Sequence, residues 1–270
     1  MRKKYIMDIK EFKINNLAHG IMRHPWEKAR AYFTLKLIDN FTNIPNNRKI
    51  NILDIGCGDT YIIEKIGNKY KDAVFFAVDT AFTDEIIEDY ISKYKDKYSL
   101  NLFKDLDKAS SCINADVDIV LLLDVLEHIE DEKSFLNLLK TYPFISETTL
   151  FIITVPAFQS LFSSHDVFLG HFRRYNKKSL KKLINECNLS IVKQGYFFSS
   201  LLVPRFFSLL FEKNIKKIKQ KGVSSYKANK LFDLILFSIL TLDYKISLFL
   251  SKLGISIIGL SNYILCKKTV

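Results

Sequence analysis

Four clusters in this 270-residue sequence carry side chains of the kinds that do chemistry. Gly56 and Gly58 follow the apolar run "KINILDI" (49–55), whose penultimate residue is Asp54. Two glycines one residue apart after a strand let the backbone turn tightly and approach a ligand. Asp79 closes a second apolar run, "AVFFAVD" (73–79), 25 residues after Asp54. An acid there can accept hydrogen bonds from both hydroxyls of a ribose. The third cluster, "DVLEH", holds Asp124, Glu127 and His128. An imidazole there could take a proton from a hydroxyl. The fourth, "SSHDVFLGHFRRY" (163–175), packs His165, Asp166, His171, Arg173, Arg174 and Tyr175 into eleven residues. Adjacent guanidinium groups suit a phosphate or carboxylate on a substrate, and His165 and His171 are further candidate bases.

Each cluster also has a plainer reading. The glycines could mark an ordinary strand-to-helix turn, and Asp79 could cap the next helix. Glu127, Glu130 and Asp131 could simply favour a helix amino terminus. The arginines of the fourth cluster could pair with surface acids.

The elements that would position these residues alternate. Helices are expected at 24–41, 60–71, 84–94, about 130–142 and 177–187. Strands are expected at 49–55, 73–79, 98–103, 116–124, 149–156 and 189–198, with a long loop after 156. The continuous apolar run "DVDIVLLLD" (116–124) fits a strand buried on both faces. Strands alternating with helices predict a parallel sheet covered on both sides. In such a sheet ligands bind past the carboxyl ends of the strands, at the switch point.

The dinucleotide fingerprint needs a third glycine where this chain has Asp59, Thr60 and Tyr61. That glycine serves helix packing beside a pyrophosphate. A nucleoside ligand without a pyrophosphate relaxes the demand. S-adenosylmethionine is such a ligand, and it also carries an amino acid group that a nearby acid could hold.

Together "ILDIGCGDT", "FFAVD" and "LLLDVLEHIED" resemble a class I S-adenosylmethionine-dependent methyltransferase, over roughly residues 24–200 plus a final strand. "HPWEKAR" resembles the leading helix of small-molecule members, which makes Trp26 and Arg30 candidate substrate contacts beside Arg173, Arg174 and Tyr175. The segment 155–192 resembles a branch related to ubiquinone-biosynthesis O-methyltransferases. The resemblance implies a seven-stranded, Rossmann-like, doubly wound α/β sheet. Its last two strands would be a parallel one at 189–197 and an antiparallel one at 260–268, with a helical insertion between them at about 199–258. Residues 1–47 would be a helical cap and 48–270 the methyltransferase domain. The implied cofactor site is Asp54, Gly56, Gly58, Asp79 and Asp124, with His128 as the base. In ubiquinone-type relatives an acid–acid–His cluster is implicated in metal binding, and Asp124, Glu127 and His128 match it; the expectation here is methyl transfer without a metal. Thr60 departs from the usual first motif, which keeps a non-catalytic member open.

Composition narrows the class. Hydrophobic residues make up 48%, enough for a sizeable core, and the four cysteines are scattered without a C-x-x-C pair. A reducing cytosol is therefore expected. The amino terminus is basic without the apolar core of a signal peptide. Net charge is +11, and residues 204–270 carry twelve Lys/Arg against three acids. That stretch is also very apolar, but Asp233, Asp243, Lys245 and Lys252 interrupt it, so amphipathic helices are expected and not a membrane span. It would be a lid, a plain packed insertion, or a patch in peripheral contact with an anionic membrane, engaged through Lys213, Lys216, Lys217, Lys219 and Lys221. The basic balance would also suit a nucleic-acid methyltransferase. No Asn-Pro-Pro-Tyr-like motif follows the fourth strand, so the expected partner is a small-molecule or lipid-linked acceptor, methylated at oxygen, and not a nucleic acid.

Overall fold

The computed structural model describes residues 23–42, 48–214 and 229–269. Seven strands form one sheet in the order β3-β2-β1-β4-β5-β7-β6. The strands are β1 (Asn51–Ile55), β2 (Val74–Val78), β3 (Ser99–Phe103), β4 (Ile119–Leu123), β5 (Leu150–Pro156), β6 (Leu189–Phe197) and β7 (Ser261–Lys268). The first five pair in parallel, and β7 runs antiparallel to both β5 and β6. The expected mixed sheet is present, with its last strand slotted between β5 and β6.

The helices are α1 (Pro25–Phe41), α2 (Tyr61–Lys69), α3 (Asp84–Tyr94), α4 (Leu106–Cys112), α5 (Glu132–Leu139), α6 (Ser164–Leu169), α7 (Lys177–Glu186), α8 (Leu202–Asn214) and α9 (Lys230–Lys252). They cover both faces because successive strand residues point to opposite sides. Along β4, Ile119, Leu121 and Leu123 join a core with Phe33 of α1, Ile63 of α2, Tyr94 of α3 and Leu240 of α9. Val120 and Leu122 face the other core, with Ala109 of α4, Leu136 of α5, and Leu180 and Ile184 of α7. Transfer of such side chains from water stabilises the fold by about 1.5–3 kcal/mol each.

Two short helices were not expected from the pattern. α4 is capped by the Asp105 side chain, which accepts from the Lys108 N–H at 2.8 Å, and Ala109 is its one buried residue. α6 lies in the expected long loop and is held by a capping box between Ser163 and Asp166. Both are too short to show a helical period and owe their form to side-chain caps.

The amino-terminal cap reduces, among the described residues, to α1, which is part of the main core: Phe33 stacks on Phe197 of β6 at 4.1 Å. Residues 1–22 and 43–47 lie outside the described residues. The insertion appears where expected. α9 is one continuous 23-residue helix, capped by the Asn229 side chain, which accepts from Leu231 and Phe232 N–H. It is long and apolar enough to cross a membrane by length and composition. The charges that interrupt the sequence do not interrupt the helix. Lys216, Lys217, Lys219 and Lys221 lie outside the described residues. The chain leaves the sheet at Phe197 and returns at its cross-strand partner Ser261. There Gly259 lies so close to the departing strand that any Cβ would clash with the Phe197 carbonyl oxygen.

Candidate functional site

The order of strands reverses about β1, which pairs with β2 on one side and β4 on the other. The carboxyl ends of these three strands therefore frame a crevice. Gly56 and Gly58 turn out of β1 with φ of 72° and 59°, a region that favours glycine. A Cβ on Gly56 would strike Val125 at 2.7 Å, so this glycine serves packing. A Cβ on Gly58 would meet nothing within 4 Å among the described residues, so packing does not demand this glycine. Asp79 fixes the turn: its carboxylate accepts from the Gly58 N–H and the Ala81 N–H, each at 2.9 Å. Thr60 is also left-handed (φ 63°), and its buried hydroxyl has no hydrogen-bond partner among the described residues. Asp59 pairs with Arg23, whose guanidinium lies over the Tyr61 ring.

Asp54 is 2% exposed, and burial pushes its carboxyl up to about 7, with Arg30 opposing the rise and Asp79 adding to it. Asp124 lies just past β4 with φ 59°. It pairs with Arg30 at 2.7 Å and accepts from the Thr154 hydroxyl at 3.1 Å. Arg30 also donates to the Leu123 carbonyl at 3.0 Å and lies against the Trp26 ring. Arg30 therefore bolts α1 to the end of β4, with Trp26 beside it. Sequence reasoning places both on the substrate side; the structure places them at the crevice, with the Arg30 charge already answered by Asp124.

The turn Leu126–His128 carries the third cluster. Glu127 is fully buried, its carboxyl is held well above the usual range by burial, and neither oxygen has a hydrogen-bond partner among the described residues. His128 is pushed down to about 4 by burial and by His171, so it is neutral at pH 7. The two imidazoles meet edge-on with centroids 4.6 Å apart. One ligand atom from each of Glu127, His128 and His171 lies within 4.8 Å of the others. This differs from the set the sequence suggests, because Asp124 turns to Arg30 and His171 takes its place.

The fourth cluster is organised around Asp166, which is fully buried. Its carboxylate meets His171 Nδ1 at 2.8 Å and accepts from Arg174 Nε at 2.7 Å and the Ser163 N–H at 2.9 Å. Arg205 of α8 approaches it at 3.8 Å. Burial alone would raise the Asp166 carboxyl, but the His171 and Arg174 hydrogen bonds hold it well below the usual range. Asp166 thereby fixes the orientation of the His171 ring through Nδ1. His165, on α6, is lowered by burial and by Arg205, and its ring stacks near Phe168.

The paired arginines expected to hold a substrate anion are engaged internally. Arg173 pairs with Glu132 and donates to the Glu130 carbonyl at 2.7 Å. Arg174 is committed to Asp166 and to the Ala157 carbonyl. Tyr175 is 3% exposed, and its hydroxyl donates to the Leu126 carbonyl at 3.4 Å. All three brace the loop. The pairing is non-local, so adjacency in the sequence could not reveal it. Sequence reasoning missed Thr154 and Arg205, for which the sequence carries no motif. It also missed an apolar cleft of about 380 Å³ beyond the end of β5, lined by Phe158, Leu161, Leu202, Val203, Phe206 and Ile258.

A family model described as a methyltransferase domain matches residues 26–194. No curated protein sequence matches the chain. Among solved structures, a SAM-dependent methyltransferase from Archaeoglobus fulgidus is 16% identical with a TM-score of 0.50, covering 89% of this chain and 94% of that one. The [4+2]-cyclase SpnF is 12% identical with a TM-score of 0.57, covering 99% and 95%. Phosphoethanolamine N-methyltransferase 2 from Haemonchus contortus, solved with S-adenosyl-L-methionine, is 14% identical with a TM-score of 0.54, and the match covers 100% of this chain and 59% of that one. At these identities the likeness is one of fold.

Proposed function

The chain belongs to the methyltransferase-domain family, and from that premise we propose that it methylates a small-molecule or lipid-linked acceptor at oxygen. S-adenosylmethionine is the donor, and when bound it supplies an electrophilic methyl group on a sulfonium. The observation that carries the reading is Gly58. It has a left-handed φ, its N–H is pinned to Asp79, and a Cβ there would meet none of the described residues within 4 Å, so the turn is held in shape with room for a ligand to approach the backbone. The Asp79 carboxylate that shapes the turn would accept from a ribose hydroxyl of the donor. Asp54, held near half-protonation at neutral pH, would ionise beside the ammonium of the donor's amino acid group.

Methyl transfer is an in-line displacement, so the protein's work is to position the reactants and exclude water. An oxygen acceptor must also lose a proton. His171 is oriented for this by Asp166, and neutral His128 stands against it. The same fold carries a cyclase, so fold alone does not establish the reaction. The test is calorimetry with S-adenosylmethionine followed by a methyl-transfer assay with lipid-linked, quinone-like and nucleic-acid acceptors. Absence of binding heat would overturn the reading at its base. Transfer to RNA or DNA alone would move the protein to the nucleic-acid class.

A second reading of the acceptor half is favoured by the unpartnered Glu127 carboxylate. Together with His128 and His171 it forms a donor set for a divalent cation, with Asp166 orienting His171 from behind. Chelation followed by calorimetric titration of zinc or magnesium distinguishes the two, because a plain base needs no ion.

A further inference from the structure

We propose that the outer face of α8 and α9 is a docking surface for an anionic lipid bilayer. Among the described residues nineteen large apolar side chains are exposed, and fourteen of them lie between Val203 and Ile258. α9 carries two apolar stripes. Leu240 and Tyr244 are buried, and Leu236, Phe237 and Leu248 pack against the same core. Leu231, Ile235, Ile239, Leu242, Ile246 and Phe249 recur at spacings of three and four on the other side, and each is 45–67% exposed. Val203, Phe206 and Phe207 of α8 add to the exposed set. Soluble monomers seldom leave so much contiguous apolar surface in water, so this face needs a cover.

The charge identifies the cover. Residues 215–229, which join the two helices in the sequence, carry five lysines and no acid. Lys230 and Lys245 are exposed on α9 itself. An apolar helix face bordered by cations matches anionic headgroups over hydrocarbon. A second copy of this chain would instead set like charge against like.

The helix must lie along the surface and not cross it. Eight residues separate Lys252 from Ser261, which is already paired in the sheet. If α9 spanned the bilayer, Leu236, Phe237, Leu240, Tyr244 and Leu248, spread along its length, would have to leave the core they pack in. The Asp243 carboxylate also ties α9 to the domain, accepting from Ser200 N and Oγ at 3.0 and 3.1 Å.

The apolar cleft beyond β5 shares Val203, Phe206 and Ile258 with this face. An amphiphile could therefore pass its chain from the bilayer into the cleft and leave its head at the strand ends. That last step rests on the methyl-transfer reading; docking does not.

The test is co-sedimentation of the full chain with vesicles of phosphatidylcholine alone, or of phosphatidylcholine with phosphatidylglycerol, over a salt series. Binding to the anionic vesicles at low salt, weakening as salt rises, is the expected result. Ile239→Glu and Phe249→Glu each lie on the exposed stripe and should keep the melting temperature and the heat of S-adenosylmethionine binding. Each should reduce vesicle binding on the order of tenfold, because an apolar side chain is withdrawn from the bilayer boundary. Equal recovery in the supernatant with both vesicles at low salt would overturn the proposal. So would wild-type dimers that the two substitutions convert to monomers without vesicle binding, which would make the face an interface between copies. Vesicle binding is read without cofactor, so its failure leaves the methyl-transfer reading standing, and loss of cofactor heat leaves docking standing.

Discussion

The carboxyl ends of β1, β2 and β4 and the outer face of α8–α9 break opposite rules. At the strand ends acids are buried: Asp54 is 2% exposed, and Glu127 and Asp166 are fully buried. On the insertion hydrocarbon is exposed: Leu231 is 67% and Phe249 63% accessible. Both arrangements cost free energy in isolation. Each exception therefore describes the chemistry of a neighbour. A buried, partly protonated Asp54 beside the Gly58 turn and the Asp79 carboxylate calls for a ligand with hydroxyls and a cation. Exposed apolar stripes bordered by lysines call for hydrocarbon under an anionic surface.

The largest effect is expected where the two regions meet. Asp166 holds His171 and Arg174 of the site loop and is approached by Arg205 of α8. Asp166→Ala leaves buried guanidinium groups uncompensated and should destabilise the protein by about 3–5 kcal/mol in denaturant unfolding, with Asp166→Asn milder. A cost under about 1 kcal/mol would mean the regions are energetically separate.

Gly58→Val comes next. It should lower S-adenosylmethionine affinity by roughly 100-fold or more in calorimetry, since about 3 kcal/mol of ligand contact is displaced. It should also cost about 1–2 kcal/mol of stability, because a branched residue resists the left-handed turn. Vesicle binding should not change, which sharpens the separation. Asp79→Ala should weaken the same binding by about 1.5–3 kcal/mol through loss of a charged acceptor. An unchanged affinity would remove the ribose from Asp79.

The last effect is a pH signature, visible only as a change with pH. The Asp54 carboxyl is raised from 3.8 to about 7 on folding, so the folded state keeps a proton that the unfolded chain releases. Its stabilising contribution is complete below 3.8 and is lost as pH rises through 7. Asp54→Asn should therefore match wild type in melting temperature near pH 4 and exceed it at pH 8, while binding the cofactor less well. A difference that does not grow between those pH values would mean Asp54 is not the buried titrating group.

How much of this was legible follows from the range of the interactions. β4 and β5 could be read from continuous apolar runs, and the Gly56/Gly58 turn from spacing, because both are local signals. α4 and α6 escaped because a single capping side chain holds each one. The Arg173 and Arg174 pairs escaped because Glu132 lies 41 positions away from Arg173, and because Asp166 becomes a common acceptor only once the loop is folded. α9 showed charges that read as interruptions. Tertiary packing puts Asp243 against Ser200 and leaves the helix intact.

The pinned exit and return of the insertion bear on folding and on modular change. Phe197 and Ser261 face each other as the end rung of one antiparallel ladder, so residues 198–260 amount to an oversized hairpin loop. The entropy of closing such a loop grows only with the logarithm of its length, about 0.6 kcal/mol per doubling. Beyond this rung the parts of the cassette that do not pack on the core, unlike Leu240 and Tyr244 of α9, can thus be lengthened, shortened or recharged at small thermodynamic cost. The surface the cassette presents outward becomes an exchangeable property, while its inner stripe stays tied to the sheet.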